Sequence, residues 1–143
     1  MSQIAVIYWS QTGNTEQMAN AICEGIKSAG GEAVLLHVAD TSAQEAAKYG
    51  RMALGCPAMG AEVLEEAEFD PFFTELEGKL AGRKVALFGS YGWGDGQWMR
   101  DWVQRTNDAN ANIYTDEGLM VNETPDADAL DKCREFGRGF AAY

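Results

Sequence analysis

Short apolar runs alternate with segments of helical period along most of the chain. The first run, residues 4–9, is apolar at every position rather than at alternate ones. Such a run is typical of a central parallel strand that is covered on both faces. The pattern predicts five strands, at residues 4–9, 33–38, 52–56, 85–88 and, in two pieces, 113–114 with 119–121.

The segments between these strands carry apolar residues at helical spacing. In the first, Met18 and Ile26 lie on one face, and the pair of glycines at 30–31 ends the pattern as a C-terminal cap. In a later segment, Asp70 is expected to cap a helix that has Pro71 in its first turn and extends to Gly82. Further helices are predicted after the caps at 40–42 toward Tyr49, over 97–109, and from Asp126 or Asp128 through Phe140.

This order of elements predicts the fold class. Strict alternation with short connections implies right-handed crossovers and one parallel sheet. We therefore expect an α/β domain over residues 1–143, a doubly wound five-stranded parallel sheet with helices on both faces. Ligands of such sheets bind beyond the carboxyl ends of the strands. The loops at 10–15, 56–62 and 89–96 should therefore converge on one site.

The charge of the chain narrows the range of partners. Twenty-two acidic residues against eleven basic ones give a formal net charge of -11. This balance argues against a nucleic-acid surface or an anionic membrane, and it suits basic protein partners.

Cysteine usage and hydropathy predict the compartment. Cys23, Cys56 and Cys133 are far apart, form no C-x-x-C pair and accompany a single histidine, so neither a zinc site nor a disulfide framework is expected. The apolar run at 4–9 is too short to span a bilayer and lacks the flanks of a signal peptide. We expect a cytoplasmic protein with reduced thiols.

Residues 10–15, S-Q-T-G-N-T, combine hydroxyls, amides and a glycine between a strand and a helix. Unpaired backbone N–H groups and the positive end of the helix dipole favour an anion at such a turn. The segment has neither the lysine of a nucleotide-triphosphatase loop nor the spacing of a G-x-G-x-x-G loop. It predicts a phosphate site, with an ordinary capping turn as the structural alternative.

Residues 89–96, G-S-Y-G-W-G-D-G, place two aromatic side chains in a glycine-rich loop. Core packing does not readily explain Trp93 there, whereas a flat ring system bound beside it does. The other tryptophans, at 9, 98 and 102, are accounted for by strand and helix packing.

Together with G-C-P-A-M-G-A-E at 55–62, these two loops resemble the three cofactor loops of the flavodoxins, in particular the short-chain, clostridial type. The resemblance covers nearly the whole chain and keeps the order and spacing of the loops. It implies a monomeric, low-potential one-electron carrier that binds flavin mononucleotide (FMN) non-covalently and has no catalytic residue or metal.

The resemblance also assigns roles to residues. Met59 and Trp93 would cover the two faces of the isoalloxazine, Glu62 would accept a hydrogen bond from its imide N–H, and the peptide after Gly60 would flip toward the reduced ring. The remaining expected cofactor contacts are Ser10, Gln11 through its backbone, Thr12, Gly13, Asn14 and Thr15 at the phosphate, Ser90 and the Trp98 indole as weaker phosphate candidates, and Ala58, Ala61, Tyr91, Gly92 and Gly94 in the ring loops.

The chain departs from the family pattern at two positions of the second loop. Ala61 stands where many relatives have Asp, which removes a nearby negative charge and a turn former. Pro57 stands where others have Ser, and it offers neither a hydroxyl nor a backbone N–H. We expect these two residues to affect the peptide flip and the phosphate contacts respectively.

Two alternatives to an electron carrier use the same topology. An FMN-dependent NAD(P)H reductase requires a substrate pocket, for which the chain looks short. A receiver module requires clustered aspartates after the early strands, where this chain has Tyr8, Trp9 and Ser10. The carrier is the leading hypothesis.

The acidic stretch at 62–77 contains no basic residue. It predicts either a solvated helix face or a docking surface for basic redox partners, which the resemblance identifies as reductases, hydrogenases or oxoacid oxidoreductases.

Overall fold

A computed structural model describes residues 3–60 and 62–143. Its strands are β1 (Gln3–Tyr8), β2 (Glu32–His37), β3 (Arg51–Gly55), β4 (Lys84–Tyr91), β5 (Asn112–Ile113) and β6 (Leu119–Asn122). Its helices are α1 (Asn14–Ser28), α2 (Ala43–Ala46), α3 (Phe69–Glu77), α4 (Gln97–Asp108) and α5 (Ala127–Ala141).

The strands form one parallel sheet in the order β2-β1-β3-β4-β5. Strand β6 continues the fifth position, because it pairs with the carboxyl half of β4 while β5 pairs with the amino half. Between them, Thr115 and Asp116 both have a φ of 63°. This left-handed turn lifts the chain off the sheet, so the expected five-stranded sheet is confirmed with its last strand in two pieces.

Helices cover both faces of the sheet, as predicted. On β1, Val6 packs with Met18 of α1 and Phe140 of α5. The neighbouring Ile7 faces the opposite way and belongs to the cluster that contains Phe73 and Trp102. This alternation explains why every position of the first strand is apolar, since both of its faces are buried.

Helix α3 differs from the sequence prediction at both ends. Asp70 is not its cap; it lies in the first turn, and the Glu65 carboxylate accepts the N–H groups of the helix start instead. The helix also ends at Glu77 rather than near Gly82, because the chain tightens into a bond from Lys79 N to Leu76 O of 2.8 Å. The predicted start of α5 is confirmed at Asp126, whose carboxylate accepts from Ala129 N at 2.8 Å.

Over the described ranges, no helix is both long enough and apolar enough to cross a membrane. The three cysteines are free and buried.

Candidate functional site

The three predicted loops meet at the carboxyl ends of β1, β3 and β4. They enclose a cleft of about 240 Å³. The convergence inferred from the strand order is therefore observed. The cleft is lined by Ser10, Gln11, Thr12, Asn14, Thr15, Pro57, Ala58, Met59, Ser90, Tyr91, Gly92 and Glu123.

The first loop presents backbone donors at the start of α1. Gly13 is the N-cap residue, with a φ of 94°, and its carbonyl accepts from Gln17 N at 3.0 Å. The Ser10 hydroxyl accepts the N–H of Gly13 at 3.2 Å and that of Glu16 at 3.3 Å. Within residues 3–60 and 62–143, the N–H groups of Thr12, Asn14 and Thr15 have no acceptor. Donors left open at a helix start suit a phosphate.

Tyr8, at the end of β1, forms a hydrogen bond with a carboxylate in the first turn of α1. Its hydroxyl donates to Glu16 Oε2 at 2.8 Å. Burial, followed by this hydrogen bond, raises the pKa of Tyr8 to about 12. The phenol therefore stays protonated at neutral pH and remains a donor to Glu16.

A buried hydroxyl pair joins the first and third loops. Thr15 is only 1% exposed, and its Oγ1 lies 2.9 Å from Ser90 Oγ. Ser90 N also donates to Thr15 Oγ1, at 3.4 Å. The two residues thus border the cleft and at the same time hold two of its walls together.

The second loop is a tight hairpin. Met59 N donates to Val63 O at 2.8 Å, and Val63 N donates back to Met59 O at 3.0 Å. Gly60 has a φ of 45° at the turn, in the region where a residue with a Cβ is strained. Ala61, the next expected contact, lies outside the described residues. The Glu62 carboxylate accepts Gln97 N at the start of α4, directly after the third loop, at 3.2 Å.

Two tryptophans have opposite environments. The Trp93 side chain is 65% exposed, so it makes little use of the core, as expected for an aromatic residue available to a ligand. Trp98 is not brought into the cleft: it is buried, and its indole N–H donates to Cys56 O at 3.2 Å. The suggested contact between this indole and a phosphate is therefore not available, and Trp98 supports the second loop from behind.

A fourth segment, which the sequence reasoning missed, completes the cleft. Glu123 follows β6, has a φ of 59°, and donates its N–H to Tyr91 O at 2.7 Å. The Asn122 side-chain amide donates to the same carbonyl at 3.2 Å. The signal was present, since the rule that ligands bind at carboxyl ends of strands applies equally to the fifth strand.

Cys56, next to the second loop, is fully buried. Burial raises the pKa of its thiol, and the hydrogen bond from Glu65 N only partly opposes this effect. The thiol is thus protonated and acts as a packing group.

The chain is similar to known flavodoxins along nearly its whole length. The family model described as Flavodoxin matches residues 6–137. The chain is 46% identical over 138 residues to a flavodoxin of Megasphaera elsdenii, covering 96% of this chain and 98% of the relative. It is 47% identical over 136 residues to a flavodoxin of Clostridium beijerinckii, covering 95% and 97%. The solution structure of two-electron reduced Megasphaera elsdenii flavodoxin matches with a TM-score of 0.89 at 46% identity, covering 98% of this chain and 99% of that one.

Proposed function

The chain belongs to the flavodoxin family, and from that premise we propose how its own residues hold FMN and present it to partners. It is an FMN-binding electron carrier that exchanges electrons with redox proteins, rather than an enzyme with a substrate of its own. Flavodoxins match it nearly end to end, which favours the carrier over a nicotinamide-dependent reductase of the same fold.

We propose that the first loop holds the FMN phosphate without a basic side chain. The open N–H groups of Thr12, Asn14 and Thr15 and the hydroxyls of this loop supply the donors. The start of α1 adds the positive end of its dipole. These unpaired donors at residues that line the cleft are the single observation that carries the proposal, because an ordinary capping turn would pair them with its own side-chain oxygens.

The second and third loops hold the ring system. When bound, the isoalloxazine supplies the redox chemistry, one electron at a time. Met59 and Trp93 cover its faces, and Glu62 accepts a hydrogen bond from its imide N–H while it also accepts Gln97 N. The positive φ of Gly60 lets the following peptide turn its carbonyl toward the ring at a cost about 1–2 kcal/mol lower than for a residue with a Cβ.

Pro57 and Ala61 of the second loop depart from the family pattern, and both affect the proposed cofactor site. Pro57 borders the cleft and brings no N–H, so the phosphate depends on the first loop for its donors. Carboxylates such as Glu62 and Glu123 disfavour added negative charge on the cofactor, which gives it a low potential. Ala61 contributes no carboxylate to this set.

The proposed docking surface surrounds the exposed edge of the cofactor. Val63, Trp93 and Met120 are exposed apolar residues on or beside the ring loops. Part of the acidic stretch is structural, since Arg105 pairs with Asp70 at 2.7 Å and with Glu77 at 2.8 Å. The exposed carboxylates that remain attract basic surfaces on reductases, hydrogenases or oxoacid oxidoreductases, and the attraction weakens as salt is added.

The carrier acts as a monomer in the cytoplasm in this proposal. A net charge of -11 opposes self-association. Three buried, unpaired thiols suit a reducing compartment. Sedimentation at increasing salt concentration tests whether the protein is a monomer. If charge repulsion alone prevented dimerisation, a dimer would form as salt screens the charge.

Comparing FMN with riboflavin tests the phosphate assignment. Riboflavin carries the same ring system without the phosphate, so the ratio of its dissociation constant to that of FMN isolates the contribution of the first loop. A few hydrogen bonds to a charged group predict a ratio of at least ~100. Equal affinity for the two ligands would remove the phosphate site from the proposal.

A further inference from the structure

A buried carboxylate lies directly downstream of the second loop. Glu65 is only 7% exposed, and its carboxylate accepts hydrogen bonds from the segment that leads into α3. Its Oε2 accepts Ala67 N at 2.8 Å, and its Oε1 accepts Glu68 N at 2.8 Å and Phe69 N at 2.9 Å. Both oxygens are therefore used, in a region where an unpaired charge would be costly.

The backbone of the same residue is tied to the other end of the loop. Glu65 N donates to Cys56 Sγ at 3.4 Å, and Glu65 O accepts Asp70 N at 2.8 Å. Cys56 is in turn fixed to β4, since its N–H donates to Phe88 O at 3.1 Å. The backbone of Glu65 thus joins the two ends of the segment 56–65 and connects this segment to α3.

The loop between these anchors makes few other hydrogen bonds to the protein, although the Leu64 side chain is buried in the core. Apart from its own hairpin bonds, the described part of the loop is held by Ala58 N to Ser90 O at 3.0 Å and by the bond from Gln97 N to Glu62. A loop with few attachments is sensitive to the loss of any one of them.

We propose that Glu65 is the positioning residue of the flavin loop: its carboxylate fixes the downstream end of the loop to α3 and so holds Met59 and Glu62 in place against the ring. The inference rests on the proposed function, because it assigns a role in holding a ring system that the function supplies. Glu65 itself does not touch the cofactor in this account.

The charge of Glu65 is suited to this role. Burial alone would raise its pKa, but the three backbone hydrogen bonds outweigh burial and the pKa lies below its usual range. Asp70, the acid that faces it from α3, is paired with Arg105. The carboxylate is therefore ionised, and able to accept all three bonds, at neutral pH.

Glu65→Gln tests the proposal, because it preserves size and replaces one acceptor oxygen by a donor. Two matched controls separate positioning from stability and from charge. Asp126→Ala removes the cap of α5, which packs on the opposite face of the sheet, and Asp126 does not line the cleft. Glu66→Gln removes an equal charge from the exposed neighbouring residue. For each variant, the dissociation constants of FMN and riboflavin and the urea stability of the apoprotein are measured.

For Glu65→Gln we expect the dissociation constants of FMN and riboflavin to rise together by about tenfold, the equivalent of one hydrogen bond to a charged group. Their ratio should stay unchanged, because the ring loop and not the phosphate loop is released. Asp126→Ala should lose comparable stability with both constants unchanged, and Glu66→Gln should leave both constants within about twofold.

Unchanged binding in Glu65→Gln would overturn the inference, as would a loss of FMN affinity alone. If that variant does not fold, Glu65→Asp keeps the charge on a side chain too short to reach all three N–H groups, and the same rise in both constants is expected. If neither variant folds while Asp126→Ala does, Glu65 is a determinant of the whole fold, which would also overturn a local role. A wild-type protein that binds no FMN would instead refute the proposed function.

Discussion

Gly89 lies in β4 and begins the third loop. It is next to the backbone of Cys56, where the second loop begins. A Cβ built at this position would lie 2.2 Å from the carbonyl oxygen of Cys56 and 3.1 Å from the ring of Trp98. The first of these contacts is with backbone, which cannot rotate away. Gly89→Ala must therefore push the end of β3 away from β4 and disturb the hydrogen bond from Trp98 to Cys56 O.

The size of the effect follows from these two contacts. Overpacking a buried site costs about 1–3 kcal/mol. Loss of one neutral hydrogen bond costs a further ~0.5–1.5 kcal/mol. We expect the apoprotein to lose about 2–4 kcal/mol of unfolding free energy and the loops around the cleft to separate, which weakens FMN binding as well.

Urea denaturation of the apoprotein, followed by tryptophan fluorescence, measures the loss. Gly92→Ala is the matched control, because no atom lies within 4 Å of a Cβ at that position of the same loop. It should stay within ~0.5 kcal/mol of the unmodified protein. A Gly89→Ala protein as stable as the Gly92→Ala protein would refute the argument that close backbone approach holds the two loops together.

Three further changes probe the site. Trp93→Ala should leave the apoprotein stable within ~0.5 kcal/mol, because the side chain is 65% exposed, yet weaken FMN binding in a fluorescence titration; equal affinity would mean that the indole does not cover the ring. Gly60→Ala should lower the yield of one-electron-reduced flavin while the affinity for oxidised FMN is nearly kept, and an unchanged yield would exclude the peptide flip. Because the pKa of Glu65 is lowered in the folded protein, its contribution to stability is complete above the ordinary carboxyl pKa and is lost as the pH falls through the folded value. Acid titration of Glu65→Gln should therefore show a shallower loss of stability than that of the unmodified protein, with Asp70, Arg105 and Cys56 as the ionisable groups nearby in both; parallel curves would contradict the assignment.

The hydrophobic pattern of the sequence was sufficient to predict the first strand and the positions of the loops. The run at 4–9 predicted a strand covered on both faces, and Ile7 and Val6 do pack into opposite cores. The convergence of the loops 10–15, 56–62 and 89–96 was predicted because they follow the carboxyl ends of strands of one parallel sheet, and residues of all three line the cleft.

Features that depend on side chains meeting across the fold were not predictable in this way. Asp70 looked like a helix cap because it precedes a proline, but the helix already begins at Phe69, whose N–H donates to Glu65, and Asp70 pairs with Arg105 instead. The sequence made the Trp98 indole a candidate phosphate contact, but in the structure its N–H donates to Cys56 O. Glu123 was missed because the broken fifth strand obscured where its carboxyl end lies.

Stepwise reduction of the FMN-loaded protein, followed by visible absorbance under anaerobic conditions, tests the central claim most directly. If these loops hold FMN as a single-electron carrier, a long-wavelength band should rise with the first electron and disappear with the second. Direct conversion from the oxidised to the fully reduced spectrum, without that band at any stage, would contradict the account.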